Sequence, residues 1–543
     1  MKKYITLLIL LFFIVSGARA QTFSDDNFIY TLSPKEPVQA AGLNALTNDK
    51  KQQSITYFDG LGRPVQTIAI GQGAGGKDII TPVEYDVFGR QVKEYLPYAS
   101  ESGGGSYPRI DPAVAINALT GFYGSENYDN TSNPFSQKKL EDSPLNRVLR
   151  QAAPGNSWAM NSGHEIKMDY QTNTASEVRL FKSTATWDAG LGLFKTTFSD
   201  AGNYAENQLY KTITYDENTA ANPTESSGST VEFKNKEGQV VLKRTYDSGN
   251  QHDTYYVYDR YGNLSYVIPP KVAGVVSDDV LNGLCYQYKY DYRNRLVEKK
   301  LPGKQWEYIV YDKLDRPVAT GPAFSPFKDE TAEGWLITKY DGLGRPVYTG
   351  WSSTPPGSAN RKTLQDQHNS ATVLFETRGS EGTIDDNIVI YYSNSIAPIN
   401  FKLLTVTYYD DYAFPNAVVE PATIEDQSVL DNVTGLVTGT WTRALTTASE
   451  TLGETITTFY DKKGRAVSTR IQNHLGGYTN VDSKLDFTGK TLYSITKHKR
   501  TSGDTELTVK EEFTYSPQDR LLTHTHQVNG GTVEVLASNT YDD

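Results

Sequence analysis

The chain has 543 residues but only one cysteine and three methionines. A single thiol excludes an intramolecular disulfide, so packing must stabilise the fold. Cys285 lies in an alternating, strand-like segment at residues 284–288. We therefore predict a buried, inert thiol rather than a reactive one.

Basic residues are outnumbered, with 53 Lys and Arg against 64 Asp and Glu, and the net charge is −11. Nonspecific binding to nucleic acid needs a basic surface, so we predict no nucleic-acid partner. Common catalytic, nucleotide-binding and zinc-binding motifs are also absent. The sequence has no Gly-x-Ser-x-Gly, phosphate-loop or His-Glu-x-x-His segment. The glycine-rich run at residues 71–77 lacks the phosphate-loop spacing and is interpreted as a flexible hairpin connection.

Long apolar runs are confined to residues 5–15, which follow Met1-Lys2-Lys3 and precede Ala18-Arg19-Ala20. A charged start, a short apolar core and an Ala-x-Ala site are typical of a secretory signal peptide, with an uncleaved anchor helix as the alternative. No cysteine follows the site, which argues against a lipid anchor. We predict a mature chain from about Gln21, without a membrane span, that is secreted or at the cell surface.

Histidines and acidic pairs are the remaining candidates for chemistry. His524 and His526 fall on one face of a predicted strand and could hold a metal, but no third ligand stands near them in sequence. Paired carboxylates could serve glycoside hydrolysis. Adjacent strand residues point to opposite faces, however, and on loops they usually cap helices or face solvent. The pairs are Asp25-Asp26, Asp278-Asp279, Asp385-Asp386 and Asp410-Asp411. We predict no catalytic, cofactor-binding or metal-binding residue, no cofactor, and no enzymatic activity.

What the chain has in abundance is tyrosine (37), glycine (44) and one recurring motif. Residues 57–65, Tyr-Phe-Asp-Gly-Leu-Gly-Arg-Pro-Val, return as Glu-Tyr-Asp-Val-Phe-Gly-Arg-Gln-Val at 84–92. Further copies begin at Tyr258, Tyr290, Tyr311, Tyr340 and Tyr460. Degenerate copies lie at 233–240, 409–410, 485–490 and 515–521. Intervals run from 21 residues (Asp291 to Asp312) to 32 residues (Asp259 to Asp291), as in repeat arrays.

The first copy predicts a β-hairpin, because residues 55–58 and 64–68 are β-prone and flank a glycine-bearing turn. We expect Asp59 to accept a hydrogen bond from a turn amide and Gly62 to be left-handed. In this register Asp59 faces Arg63, Phe58 faces Pro64 and Tyr57 faces Val65. A lone hairpin is barely stable in water, so the hairpins must stack.

The pattern resembles the YD repeat, or RHS repeat, of bacterial polymorphic toxins, insecticidal toxin-complex subunits and teneurins. Residues 57–64, with 71–78 and 84–98 after them, are similar to the amino-terminal domain of unknown function DUF6443 of secreted RHS-type proteins. The resemblance implies a long β-sheet coiled into a hollow shell. It also implies a carboxy-terminal toxin held inside, with downstream repeats and that toxin domain as partners.

The predicted fold is mostly all-β: tandem antiparallel hairpins that form a curved sheet or partial shell, with a few short helices. We divide the chain into a signal peptide (1–20), an extended lead-in with one edge strand (21–50), a DUF6443-like domain (51–200) and a repeat array (201–543). The array is expected to be incomplete at the carboxy end, because residues 541–542 repeat only the Tyr-Asp half of the motif.

Smaller elements follow from local signals. Residues 102–106, Ser-Gly-Gly-Gly-Ser, predict a flexible break. A cap, a proline and a terminating glycine predict a short helix over 111–121, and a second is expected over 145–151. Residues 359–386 and 417–449 are interpreted as insertions outside the regular array.

Three functions remain open from sequence. The first is a non-catalytic exported scaffold, the amino-terminal portion of an RHS-type protein whose carboxy-terminal toxin or effector is absent here. The alternative is a cell-surface carbohydrate-binding adhesin, in which exposed aromatics stack on surface glycans. Its candidates are Trp306, Trp335, Trp351 and Trp441, although packing within the stack is the other interpretation of these side chains. The second alternative is a polysaccharide hydrolase.

Overall fold

The computed structural model describes residues 26–100, 109–272, 274–384 and 388–541. Several sequence features lie outside the described residues: the signal peptide, the break at 102–106, Asp25, the pair Asp385-Asp386, and Asp542. Antiparallel strands dominate the described chain and the helices are short, which confirms the predicted all-β class.

The strands, in chain order, are β1 (Asn27–Pro34), β2 (Lys51–Phe58), β3 (Pro64–Ile70), β4 (Ile79–Pro82), β5 (Lys93–Tyr95), β6 (Tyr98–Ala99), β7 (Phe135–Leu140), β8 (Val148–Ala152), β9 (Ile166–Thr172), β10 (Arg179–Asp188), β11 (Leu193–Asn203), β12 (Tyr210–Tyr215), β13 (Thr230–Lys234), β14 (Val240–Asp247), β15 (Asn250–Tyr258), β16 (Leu264–Ile268), β17 (Tyr286–Tyr290) and β18 (Leu296–Lys300). The second half continues with β19 (Trp306–Tyr311), β20 (Pro317–Phe324), β21 (Glu333–Tyr340), β22 (Pro346–Ser352), β23 (Arg378–Ile384), β24 (Ile388–Tyr392), β25 (Lys402–Tyr409), β26 (Thr423–Ile424), β27 (Gln427–Ser428), β28 (Val437–Arg443), β29 (Gly453–Tyr460), β30 (Ala466–Gln472), β31 (Gly476–Leu485), β32 (Thr491–Thr501), β33 (Leu507–Tyr515), β34 (Leu521–Val528) and β35 (Val533–Ser538). The α-helices are α1 (Pro112–Tyr123), α2 (Asp278–Leu284) and α3 (Ser358–Ser370). Short 3₁₀ turns span Ala40–Ala45, Asn48–Lys50, Ala74–Gly76, Glu126–Tyr128 and Asn156–Trp158.

A small sheet opens the described chain, in the order β1-β2-β3-β4-β6. β1 lies at its edge, paired with β2, so the lead-in contains the edge strand that the sequence predicted. Helix α1 contacts β4 and β6. Leu119 of α1 shares a core with Ile55 and Tyr57 of β2, and all three side chains are fully buried.

The main sheet contains 24 antiparallel strands. Their registers run continuously from β5 through β7, β8, β9 and β12–β22 to β25 and β28–β35. The strand order closes into a barrel. The closure places β35 beside β5, and β35 is largely exposed there.

Two helix predictions are corrected in detail. Asp111 caps α1 by accepting a hydrogen bond from the Ala113 amide, as predicted, but the helix runs past Gly121 to Tyr123. The extension packs the Phe122 and Tyr123 rings against each other and against Tyr128. The helix predicted over 145–151 is wrong. Residues 148–152 form β8, because β7 and β9 supply hydrogen-bonding partners on both sides.

The two insertions add a second layer to the main sheet. Residues between β22 and β25 form α3 and the hairpin β23–β24, which agrees with the partly helical insertion predicted there. The second insertion is shorter than predicted, because β28 belongs to the main sheet and leaves only the segment from 410 to 436, with β26–β27. Hairpin β10–β11 is a third piece, in contact with β15 and β17.

These pieces cover one face of the main sheet. Leu364 of α3 packs with Ile337 of β21, and Tyr392 of β24 packs with Tyr348 of β22. Tyr348 pairs across the sheet with Lys339, two residues beyond Ile337 and therefore on the same face. Within β33–β35, by contrast, none of the residues is buried. We call β33–β35 the uncovered strands.

Candidate functional site

The recurring motif forms a hairpin turn held by one aspartate. In the copy at 341–345 the Asp341 Oδ1 accepts hydrogen bonds from the amides of Leu343 and Arg345, both at 2.9 Å. Oδ2 accepts from Arg345 Nε at 2.7 Å. Gly344 is left-handed, with φ 81°. The first copy repeats this geometry, which confirms the roles predicted for Asp59 and Gly62.

The backbone conformation of the turn is kept in copies with other residue types. Asn294, Asp315 and Asp519 replace the left-handed glycine, as these side chains tolerate that conformation. The degenerate copies keep the hydrogen bond between the first and fifth turn residues through Asn235, Asp486 or Ser516. Hairpins therefore stand where the weaker motifs predicted them, at 233–240, 485–490 and 515–521.

The register inside each hairpin differs from the prediction by one residue. Phe58 pairs with Pro64 as expected, but Tyr57 pairs with Gln66 rather than Val65. Val65 is the extra residue of a β-bulge, a feature that local sequence does not specify here. The bulge buries two consecutive residues, such as Val65 with Gln66 and Val318 with Ala319.

The aromatic residue before the Asp joins each hairpin to the preceding one. Tyr340 donates its hydroxyl hydrogen bond to the carbonyl of Pro317 at 2.9 Å, and its ring lies 4.5 Å below the guanidinium of Arg316. The same bond recurs from Tyr85 to Pro64, Tyr258 to Val240, Tyr290 to Leu264, Tyr311 to Leu296, Tyr409 to Pro346, Tyr460 to Val437, Tyr515 to Thr491 and Tyr541 to Leu521.

The basic residue of the turn reaches forward to the next turn. Arg345 binds Asp410 through two nitrogens, at 3.0 and 2.7 Å. Arg295 donates to Asp315, and Arg465 donates to the carbonyls of Asp486 and Phe487. The tyrosine bonds and these contacts lie along one rim, and from Val240 to Tyr541 they form a continuous line along the main sheet. We call all of these contacts the turn relay.

The turn relay ends on the amino-terminal part of the chain. Lys490 binds Asp519 at 2.8 Å, and Asp519 lies 3.2 Å from Lys35. Lys35 also donates to the carbonyl of Pro517 at 2.6 Å. The last complete turn thus contacts the segment that follows β1.

Charges in the turn relay stabilise one another. The amide and guanidinium of Arg63 hold the pKa of Asp59 below its usual value. Burial opposes ionisation of Asp486, but hydrogen bonds from Lys490 and Thr488 outweigh it and lower the pKa to about 2. Hydrogen bonds from Arg345 likewise lower the pKa of Asp410. The lowered pKa values favour the ionised form of Asp59, Asp410 and Asp486, and structural partners occupy all three carboxylates.

The histidines singled out by sequence lie on β34. His524 contacts Glu511 and His526 contacts Glu534, each at 3.0 Å, so the two rings have different acidic partners. Within the described ranges no group of three or more His, Cys, Asp or Glu side chains is placed to hold a metal. The absence of a metal or cofactor stays a prediction.

The two acidic pairs within the described ranges have structural roles. Asp278 and Asp279 occupy the first turn of α2, where they face the positive end of the helix dipole. Asp410 binds Arg345, whereas Asp411 binds Arg378 at 2.7 Å. Asp410 and Asp411 line one cleft together, but each carboxylate there is paired with a different arginine.

The tryptophans proposed as exposed glycan platforms are packed instead. Trp335 and Trp351 are fully buried, and Trp351 donates to the carbonyl of Ala323 at 2.9 Å. Lys289 lies 3.9 Å over the half-buried Trp306 ring, and the half-buried Trp441 packs against the backbone of Gly453. The packing interpretation is therefore confirmed for Trp335 and Trp351, whereas Trp306 and Trp441 are half-buried.

Cys285 is buried, and burial raises the pKa of its thiol to about 11. The predicted burial of the thiol is confirmed, and its inertness stays a prediction with which the raised pKa agrees. Sequence reasoning missed the buried Lys339 and Glu376. These residues are 37 positions apart and only the folded insertion brings them together, so no local pattern signals the pair.

Comparison with known proteins adds one family match. Residues 30–172 match the family model described as Domain of unknown function (DUF6443). The amino-terminal region is DUF6443-like, as predicted. Its bounds of 51–200 stay a prediction. A search of curated protein sequences finds no match.

Solved structures similar to the chain include "TcdB2-TccC3 without hypervariable C-terminal region", at 13% identity and a TM-score of 0.36, over 88% of this chain and 20% of that one. Another is "TcdB2-TccC3-TEV", at 14% identity and a TM-score of 0.36, over 96% and 23%. The Photorhabdus luminescens Tc holotoxin pore matches at 11% identity and a TM-score of 0.37, over 94% and 26%. The chain thus spans about a quarter or less of these structures. At such scores the likeness assigns neither fold nor function.

The described residues contain no helix that is both long and apolar enough to cross a membrane.

Proposed function

We propose that this chain is a non-catalytic scaffold, a wall segment of a β-shell of the RHS or YD-repeat kind. The observation that carries the proposal is the turn relay, which links successive hairpins from Val240 to Tyr541 along one rim. A shell built from hairpins needs a contact that repeats between neighbouring hairpins. The contacts of the turn relay are of this kind and use the aromatic and basic residues of the motif.

The charges of the motif support a structural role over a catalytic one. Asp341 is buried and uses both carboxylate oxygens within its own turn. Arg345 bridges Asp341 and Asp410. A general acid or base needs a group free to exchange a proton with a substrate, and these groups have no such freedom.

The finer proposal concerns the whole protein. By resemblance to RHS-type proteins, the chain is exported through its predicted signal peptide and its shell surrounds a carboxy-terminal toxin or effector domain encoded downstream. Its partners are then the following repeats and that domain, and its location is the cell exterior or surface.

Export is tested by recovering the mature protein from the producing cell. The expected product begins at about Gln21 and fractionates with secreted or surface material. A chain that keeps residues 1–20 and remains in the membrane fraction would instead support the anchor helix.

Enclosure is tested on the full parent protein by limited proteolysis of whatever follows residue 543. A shell should protect that segment, and Arg345→Ala should increase its cleavage by opening one joint of the turn relay. Arg260→Ala is the matched control, since Arg260 contacts only Tyr261 of its own turn through the described hydrogen bonds. Equal cleavage of the downstream segment in the folded and unfolded parent would contradict the proposal, as would an electron micrograph without a hollow particle.

The adhesin alternative retains one observation. Trp158 is 38% exposed and lines a cleft of about 420 Å³ together with His164 and Glu217. Glycan-array binding that disappears in Trp158→Ala and persists in Trp306→Ala would favour it. The hydrolase alternative requires release of reducing ends from some polysaccharide, and a broad panel without such release would remove it.

A further inference from the structure

A buried lysine lies at the end of β21, directly before the motif tyrosine. Lys339 is 2% exposed, and its side chain points under the first insertion. Glu376, which precedes β23, is fully buried beside it. Asn394 follows β24 and is half-buried. The three residues come from three separate segments that meet only in the folded insertion.

Their polar atoms form one compact cluster. Lys339 Nζ donates to Asn394 Oδ1, to Glu376 Oε1 at 3.2 Å and to the carbonyl of Ile396 at 2.5 Å. Asn394 Nδ2 donates to the carbonyl of Ile399 at 2.8 Å, which fixes the amide plane. The amine nitrogen is thereby held against the side-chain amide group of Asn394.

Glu376 is held as firmly as the other two. Its Oε2 accepts from the Ser393 hydroxyl at 2.6 Å and from the Ser395 amide at 2.9 Å, and its Oε1 accepts from the Ile396 amide at 3.0 Å. These donors flank Asn394 on both sides. The carboxyl group is therefore fixed to the same loop that carries the amide, while it contacts the lysine amine.

The surroundings make the lysine ammonium easier to deprotonate. Burial lowers the pKa of Lys339 to about 8, against the opposing effect of Glu376. The ring of Phe401 lies 4.9 Å from Nζ and excludes water on that side. A desolvated lysine beside a carboxyl group is a competent nucleophile, and fixed proximity replaces the entropy loss of a bimolecular reaction.

We propose that Lys339 and Asn394 become joined by an intramolecular isopeptide bond, with Glu376 as the acid–base residue. Glu376 takes a proton from the lysine ammonium, and the resulting Nζ lone pair attacks Cγ of Asn394. The Nζ–Cγ bond forms and the Cγ–Nδ2 bond breaks. Glu376 passes its proton to the departing nitrogen, which leaves as ammonia, while the second proton lost from Nζ is taken up by solvent as the charged amine becomes an amide. No oxidation or reduction occurs, and no other reactant is needed.

Two of the three other buried lysines, Lys167 and Lys211, have different partners from Lys339. Lys167 Nζ donates to the backbone carbonyls of Gly163, Glu165 and Thr219. Lys211 lies 2.6 Å from the carboxylates of both Glu177 and Glu225. Neither set of partners includes a side-chain amide, which would supply the leaving nitrogen. Lys167 and Lys211 therefore form hydrogen bonds and ion pairs without a group that they could attack.

The bond would fix the insertion to the wall. It would close a covalent loop from residue 339 to residue 394 that contains α3 and both strands of β23–β24. A cross-link of this kind restricts the unfolded chain and resists local opening. In a chain with one cysteine, it would supply the covalent support that a disulfide cannot.

The decisive experiment is peptide mass spectrometry of the folded, purified mature chain after denaturation and digestion. The expected product is a branched peptide that joins Lys339 to position 394 and is lighter than the two separate peptides by one ammonia. Intact mass is a weaker readout, because an amino-terminal glutamine can lose the same mass by cyclising. Recovery of only the two unlinked peptides from the wild-type chain would overturn the proposal.

Variants then assign the roles. Asn394→Ala and Lys339→Arg should abolish the branched peptide, and Glu376→Gln should reduce it severely while leaving both linked residues in place. Lys167→Arg is the matched control and should keep the full yield. If Glu376→Gln fails to fold, loss of the branched peptide in the half-buried Asn394→Ala variant still tests the linkage. A folded Glu376→Gln chain that gives the wild-type yield of branched peptide would contradict the assigned role of Glu376.

Discussion

The covered strands of the main sheet and the uncovered strands β33–β35 use the same turns but different packing. Under the second insertion, Phe459 of β29 is fully buried and packs against Tyr412. In β33, Phe513 is only half-buried and stacks on His524 of the next strand. Apolar burial provides most of the stability of a fold. The turn relay therefore sets the order of the hairpins in both regions, whereas the insertions give the strands beneath them a buried apolar core.

The largest difference between the two regions should appear on removing a phenylalanine ring from each. Phe459→Ala is expected to lower the free energy of unfolding by about 3–5 kcal/mol, because it leaves a cavity in a closed core. Phe513→Ala should have less than half that effect, since water already reaches its ring. Denaturant unfolding of the two variants measures both values, and equal losses would show that the uncovered strands have a hidden core.

The next prediction concerns close packing over the sheet. A Cβ added at Gly439 would lie 2.2 Å from the Phe414 ring, so Gly439→Ala should cost about 1–3 kcal/mol of stability. At Gly503, in the turn after β32, a Cβ would meet nothing within 4 Å. Gly503→Ala is the matched control and should leave the thermal midpoint nearly unchanged. A neutral Gly439→Ala would mean that the insertion layer is displaced easily.

The pH dependence of stability tests the hairpin turns, which both regions contain. The folded-state pKa of Asp486 is about 2, below its ordinary value of 3.8. Its stabilisation is therefore present above pH 3.8 and is lost as the pH falls towards 2, with a total of about 2 kcal/mol. Asp486→Asn should remove this part of the pH dependence. Urea unfolding between pH 5 and about 2 follows it, and an unchanged pH profile in the variant would contradict the assignment.

The smallest predicted effect is on the tyrosine joints. Tyr340→Phe and Tyr515→Phe each remove one hydroxyl hydrogen bond to a neighbouring hairpin, at 2.9 and 3.0 Å. Each should cost about 1 kcal/mol. Similar values at the two sites are expected, because the joint has the same geometry in both regions. A markedly larger loss at Tyr340 would show that the insertion layer strengthens the joint beneath it.

Local signals in the sequence were enough for the elements that depend on a few neighbouring residues. The Asp59 to Arg63 turn, the left-handed Gly62 and the Asp111 cap of α1 were all predicted, since their hydrogen bonds close within five residues. The bulge at Val65 and the strand at 148–152 were not, because each depends on the strand that lies opposite.

The candidate site divides in the same way. The motif identified the aspartates and arginines of the turn relay, but not the joint from Tyr340 to Pro317 or from Arg345 to Asp410, whose partners are 23 and 65 positions away. Sequence left both exposure and packing open for Trp335 and Trp351, and only the folded chain shows that both are buried, Trp335 against Leu364 of α3.

The sequence by itself determined that the chain is a series of β-hairpins with charged turns, because each turn is a local structure that its own five residues stabilise. Only the tertiary structure decided which face of the sheet is covered, how the turns bind one another, and that Lys339, Glu376 and Asn394 meet. Those contacts join residues tens of positions apart, and their stability comes from burial that no short segment provides.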